Sequence, residues 1–66
     1  MKVMINGEAK DCTAPLNVRD VLDGQGYGDM LVAVARNGEF VAKGTYGDVM
    51  VEEGDLIEIV SPMQGG

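Results

Sequence analysis

Two Asn-Gly pairs constrain the fold of this chain more than any other feature. Asn6-Gly7 and Asn37-Gly38 each separate two short segments of strand length. A two-residue type I′ turn needs positive φ at both central positions, which Asn and Gly tolerate, and its twist matches that of the flanking strands. The sequence therefore predicts two β-hairpins. The predicted strands are residues 2–5 and 8–12 around the first pair and residues 31–36 and 39–42 around the second.

One short helix is predicted between the hairpins. Asn17 is a favourable N-cap, and Asp20 occupies the position of a capping-box acid three residues later. Gly24 follows closely and should end the helix after about two turns. Such a short helix is unstable alone in water, so it must pack on the sheet. Its apolar face has the spacing i, i+3 and i+4 and consists of Val18, Val21 and Leu22.

A last strand is predicted at residues 56–60, after the turn Glu53-Gly54-Asp55. Ile57 and Ile59 alternate with Glu58, which places the isoleucines inward and the glutamate outward. Residues 43–53 lack a clear period and predict a long connection with one tight helical turn at 45–48.

The predicted order is hairpin, helix, hairpin, connection and strand. It indicates one α+β domain at residues 1–60, with a mixed sheet of about five strands packed on one short helix. Residues 61–66 follow as an extended, flexible tail.

Composition excludes several functional classes. The 66 residues allow one small domain, and a net charge of −6 argues against nucleic acid or an anionic membrane as partner. A single Cys and the lack of His exclude Ser–His and Cys–His catalysis, a four-thiolate metal site and a dithiol redox motif. No apolar run approaches the length of a signal core or a membrane span. We therefore expect a cytoplasmic protein that is not an enzyme.

The C-terminal segment at residues 61–66 is the strongest functional signal. Pro62 lacks an N–H and favours an extended residue before it, so strand pairing should stop there. Six extended residues span at most about 20 Å, enough to enter a cleft in another protein. Gly65 and Gly66 have no Cβ, so they could pass a narrow channel. The alternative is a loose terminus that happens to end in glycines.

The whole chain resembles the ubiquitin-like β-grasp superfamily and, more closely, the bacterial sulfur carriers of the ThiS/MoaD family. The resemblance is carried by residues 32–41, residues 53–59 and the Gly65-Gly66 end. These are similar to the family's "VAVNGE-V" strand and turn, its "GD-I-I" entry to the final strand and its Gly-Gly end. Arg36 departs from the family pattern, as does the stretch 43–48, which has Tyr46 where a Trp-containing turn is common.

The resemblance implies a cycle that centres on Gly66. An E1-like adenylating enzyme of the ThiF type would use ATP to activate the Gly66 carboxylate, and a sulfur donor such as a cysteine desulfurase would convert it to a thiocarboxylate. A ThiG-type thiazole synthase would then accept the sulfur for the thiazole of thiamine. The carrier itself would bind no cofactor or metal. Gly65, Gln64 and Met63 would occupy the partner's active site.

Two alternatives from the same superfamily remain. The chain could be the small subunit of molybdopterin synthase, whose tail stays in an enzyme's active site. It could also be a ubiquitin-like modifier that forms isopeptide bonds through Gly66.

Side chains outside the tail suggest a docking surface. Exposed apolar residues could contact a partner, although scattered ones are common on any protein. The acidic residues could form a plain solvated face or speed encounter with a basic partner. Cys12 could be a persulfide relay, but a small apolar residue at the end of a strand is the favoured interpretation. The candidate docking residues are Met4, Glu53, Asp55, Glu58 and Val60.

Overall fold

Five strands and one helix are formed by residues 1–61, the part of the chain that the computed structural model describes. The sheet has the order β2-β1-β5-β3-β4, in which β1 and β5 are parallel and all other neighbours are antiparallel. The predicted α+β class, with a mixed sheet on one short helix, is confirmed. The elements are β1 Lys2–Ile5, β2 Glu8–Asp11, α1 Val18–Gly24, β3 Ala33–Arg36, β4 Glu39–Val41 and β5 Leu56–Val60.

Both hairpin turns have the predicted backbone. The φ angles are 51° and 84° at Asn6 and Gly7, and 52° and 83° at Asn37 and Gly38. β3 begins at Ala33 rather than at residue 31, because its pairing with β5 extends only to the Ala33–Val60 pair.

The capping box predicted for α1 is present. The Asp20 N–H donates to Asn17 Oδ1 at 2.8 Å, and the Asn17 N–H donates to Asp20 Oδ2 at 3.2 Å. The helix begins at Val18 and ends at Gly24, and its three predicted apolar residues are all buried. Among residues 1–61, no helix is long and apolar enough to cross a membrane.

The core lies between α1 and one face of the sheet. Tyr46, in the long connection, joins this core, and its hydroxyl donates to the Val32 carbonyl at 3.3 Å. The connection contains a 3₁₀ turn at Lys43–Thr45, two residues earlier than predicted. It starts earlier because the Ala42 carbonyl accepts from both the N–H and the hydroxyl of Thr45. The sheet contributes Val3, Ile5, Val34, Val41, Ile57 and Ile59, and the helix contributes Val18, Val21 and Leu22.

Truncating Ile57 should test the core. Ile57 is 1% exposed at the centre of the sheet, whereas Val60 on the same strand is 62% exposed. We expect Ile57→Ala to lower the free energy of unfolding by about 2–5 kcal/mol. Val60→Ala, the matched control, should change it by less than about 0.5 kcal/mol. Urea unfolding of both variants measures the difference, and equal losses would contradict the assignment of the two faces.

Candidate functional site

The face of the sheet opposite α1 is uncovered among the described residues, and apolar side chains cluster on it around β3 and β5. Strand register places Met4 beside Leu56, Ala33 beside Val60, and Ala35 between Glu58 and Phe40. Phe40 is 75% exposed, and Leu56 and Val60 are each more than half exposed. We call this surface the open face. It consists of Met4, Ala33, Ala35, Phe40, Leu56, Glu58 and Val60.

Apolar side chains gathered on one exposed face indicate an interaction site, because isolated proteins seldom expose large contiguous apolar patches. A shallow depression of about 300 Å³ lies on the open face, with Phe40, Val60 and Glu58 among its lining residues. Within residues 1–61, Glu58 takes part in no ion pair. The face therefore presents one unpaired carboxylate surrounded by apolar surface.

The structure brings together three of the five candidate docking residues, namely Met4, Glu58 and Val60, on the open face. Sequence reasoning missed Leu56 and Phe40. The signal was available for Leu56, which alternates with buried Ile57 and so faces outward like Glu58. Phe40 joins the face only through the pairing of β4 with β3.

Glu53 and Asp55 lie elsewhere. Glu53 is exposed in the turn before β5, where its Oε1 accepts from the Lys2 N–H at 3.1 Å. Asp55 is only 7% exposed, so the expectation that it belongs to an exposed acidic surface is wrong.

The Asp55 carboxylate is occupied by internal hydrogen bonds. Its Oδ2 accepts from Arg36 Nε at 2.7 Å and from the Glu52 N–H at 2.8 Å, and its Oδ1 accepts from Asn37 Nδ2 at 3.0 Å. Burial opposes ionisation, but the bonds from the Glu52 N–H, Asn37 and Arg36 outweigh it and hold the pKa of Asp55 below its ordinary value. Arg36, a departure from the family pattern, is thus the ionic partner of this aspartate.

The end of β5 lies between two other parts of the sheet. Because β5 is parallel to β1 and antiparallel to β3, its last residues lie next to the Asn6-Gly7 turn and the start of β3. Ser61 follows directly and is buried, so the first residue of the predicted tail packs with the domain. The other predicted tail residues, Pro62, Met63, Gln64, Gly65 and Gly66, lie outside the described residues.

Cys12 is distant from this end of the sheet. It follows β2, and its N–H donates to the Met1 carbonyl, which places it beside the start of β1. The side chain is partly buried and packs against the core. This position matches the interpretation of Cys12 as a small apolar residue.

The lowered pKa of Asp55 predicts a pH-dependent stability. Ionised Asp55 should stabilise the fold above about pH 3.9, the ordinary aspartate pKa, and this stabilisation should disappear as the pH falls through the lower folded value. Asp55→Asn should be less stable at pH 7 and should lose this part of the pH dependence. Urea unfolding between pH 2 and 7 tests this prediction. Asp29→Asn, at an exposed position, is the control, and its free energy of unfolding should follow the wild-type curve against pH. If the Asp55→Asn curve parallels that of the wild type, the prediction is wrong.

Comparison with known proteins identifies a family that this chain matches. A family model described as the ThiS family matches residues 3–66. Among solved structures, the crystal structure of a thiamine biosynthesis protein (ThiS) from Geobacter metallireducens superposes with a TM-score of 0.83 at 28% identity, and each chain is covered in full. A solution NMR structure of a thiamine biosynthesis protein from the same organism gives 0.81 at 29% identity, covering all of this chain and 88% of that one.

Two curated relatives are each named thiazole synthase. The relative from Magnetococcus marinus is 41% identical over 66 residues, and the one from Paramagnetospirillum magneticum is 42% identical over the same length. The alignments cover all of this chain but only 20% of each relative. The chain therefore spans about a fifth of the length of these proteins.

Proposed function

The chain belongs to the ThiS family, and from that premise we propose that it is a sulfur carrier in thiamine biosynthesis whose Gly66 carboxylate carries the sulfur. The observation that supports this most directly is the family match, which extends through Gly65 and Gly66. The fold of the described residues agrees with that of a ThiS structure. The chain contains no His and a single, partly buried Cys, so the partner enzymes supply the catalysis.

The proposed chemistry starts from the Gly66 carboxylate, which is a poor electrophile until it is activated. A Gly66 carboxylate oxygen attacks the α-phosphate of ATP in an E1-like, ThiF-type enzyme, which gives the acyl-adenylate and pyrophosphate. The terminal sulfur of a persulfide, formed by a donor such as a cysteine desulfurase, then displaces AMP. A second thiol then attacks the donor's sulfur in the resulting acyl disulfide, forms a disulfide with it and releases the thiocarboxylate. ATP is thus a substrate of the partner and not a cofactor of this chain.

A thiazole synthase of the ThiG type is the proposed acceptor. Proteins with that name contain a segment that aligns with the whole of this chain. This observation favours the thiazole of thiamine over molybdopterin as the destination of the sulfur. It also favours sulfur donation over isopeptide conjugation.

The open face is the proposed docking surface for the adenylating enzyme. β5 supplies Leu56, Glu58 and Val60 to this face and leads directly into the tail. A partner that covers the face therefore holds the domain while the tail reaches its active site. The partner surface should be apolar with one basic side chain opposite Glu58, because a buried unpaired carboxylate is costly.

Changes at the chain end should abolish the reaction without unfolding the domain. We expect one Ala added after Gly66, or Gly65→Leu, to eliminate ATP–pyrophosphate exchange by the cognate adenylating enzyme, because a displacement of about 1 Å at the reacting group can cost on the order of a hundredfold in rate. The melting temperature should stay near the wild-type value. Gly47→Leu, at an exposed glycine with open space around it, is the control and should retain exchange.

Mass spectrometry of the C-terminal fragment provides the second readout. After incubation with the enzyme, ATP and a sulfur source, wild-type protein should exchange one oxygen of Gly66 for sulfur. If the Ala-extended protein supports ATP–pyrophosphate exchange at the wild-type rate, Gly66 is not the activated group, and the proposed function fails.

Charge reversal should separate docking from long-range steering. Glu58→Lys and Glu53→Lys change the net charge equally, but only Glu58 lies on the open face. We expect Glu58→Lys to weaken binding to the adenylating enzyme by about tenfold or more, mainly through faster dissociation, since it places a cation opposite a basic group. Glu53→Lys should only slow association, and added salt should screen its effect. Stopped-flow binding at two salt concentrations measures both rates; equal dissociation rates for the two variants would exclude docking through this face.

A further inference from the structure

The last residues of β5 are held differently on their two sides. On the β3 side, strand pairing continues to Val60. On the β1 side, it stops at the pair Ile5–Ile57, because the chain turns away at Asn6. Without a further acceptor on that side, the N–H of Ile59 would face no backbone partner. Ile59 is buried, so an unpaired N–H there would be costly.

Asn6 replaces the strand pairing that β1 no longer provides. The Asn6 backbone N–H donates to the Ile57 carbonyl at 2.9 Å, and the side-chain Oδ1 accepts from the Ile59 N–H at 2.7 Å. One residue at φ 51° thus continues the β1–β5 ladder after β1 itself has ended. Gly could also adopt this turn conformation, but it has no side-chain acceptor.

Asn37 forms a similar arrangement at the other end of β5. Its N–H donates to the Leu56 carbonyl at 2.8 Å, and its Oδ1 accepts from the Leu56 N–H at 2.9 Å. The two turn asparagines therefore hold opposite ends of the same strand. Only Asn6 lies at the end from which the tail continues, so Asn37 provides a control at the opposite end of the strand.

We propose that Asn6 is a positioning residue for sulfur transfer: its amide holds the end of β5 in place through Ile59 and so fixes the point at which the sheet ends and the chain continues toward Gly66. This role rests on the proposed function of Gly66. If the end of β5 separates from the sheet after Ile57, the four residues 58–61 join the tail. Four residues add up to about 13 Å of reach in an undefined direction. A docked carrier would then present its carboxylate correctly for a smaller fraction of the time.

Three variants test the proposal. Asn6→Gly keeps the turn and removes the acceptor. Asn6→Asp restores an acceptor at a position where Asp also tolerates positive φ. Asn37→Gly removes the corresponding acceptor at the far end of β5 and adds the same backbone freedom as Asn6→Gly. It also removes the Asn37 Nδ2 donor to Asp55, so it should destabilise the domain at least as much.

Amide hydrogen exchange measures how strongly Asn6 protects the Ile59 N–H. The ratio of the Ile59 to the Leu56 exchange rate should rise about tenfold in Asn6→Gly, return to the wild-type value in Asn6→Asp, and fall in Asn37→Gly. The ratio removes any change in global stability that affects both amides equally. An unchanged ratio in Asn6→Gly would overturn the proposal.

ATP–pyrophosphate exchange with the adenylating enzyme reports on positioning. In Asn6→Gly, kcat at saturating carrier should fall severalfold, and the KM for the carrier should rise, because Glu58 and Val60 of the open face belong to the part of β5 that separates. Asn6→Asp should restore kcat, and Asn37→Gly should leave it near the wild-type value. A kcat loss as large in Asn37→Gly as in Asn6→Gly would show a merely structural role and overturn the proposal. If the wild-type protein itself supports no ATP–pyrophosphate exchange, the proposed function fails. The ratio of the amide hydrogen exchange rates then decides alone whether Asn6 holds β5.

Discussion

The pairing of β5 on both of its sides is the interaction on which the rest of this structure depends. β5 lies at the centre of the sheet and joins the β1–β2 hairpin to the β3–β4 hairpin, which share no strand pairing with each other. Its isoleucines, Ile57 and Ile59, are buried against the helix side of the sheet. The same strand leads into the C-terminal residues, so the integrity of the domain and the placement of the tail depend on one element.

The open face follows from the small size of the chain. A single helix of seven residues covers one side of five strands, and the other side keeps Phe40, Leu56 and Val60 in solvent. Exposing these side chains forgoes the stabilisation that burial would provide. Their position on and beside the strand that carries the tail is consistent with a surface that a partner covers while it works on the chain end.

The acidic residues show why a charge count does not identify a surface. Asp55 lies just before β5, and Glu58 lies three residues later within it. The Asp55 carboxylate accepts hydrogen bonds from Arg36, Asn37 and the Glu52 N–H, whereas Glu58 faces outward. Burial of Asp55 is stable because three donors surround its carboxylate. The net charge of −6 therefore includes charges that differ in role, and only the exposed ones can meet a partner.

Local interactions could be predicted from the sequence, since they involve residues within about four positions of each other. The positive φ of both turns, the Asn17–Asp20 capping box and the alternation along β5 belong to this class, and all were correct. The family resemblance, with Gly65 and Gly66, also came from the sequence. Only the tertiary structure decided which strands are neighbours, that Asp55 is buried and that Phe40 and Met4 share a face. It also decided that Asn6 Oδ1 meets an N–H 53 residues away, because such contacts depend on the strand order, which local backbone preferences do not encode.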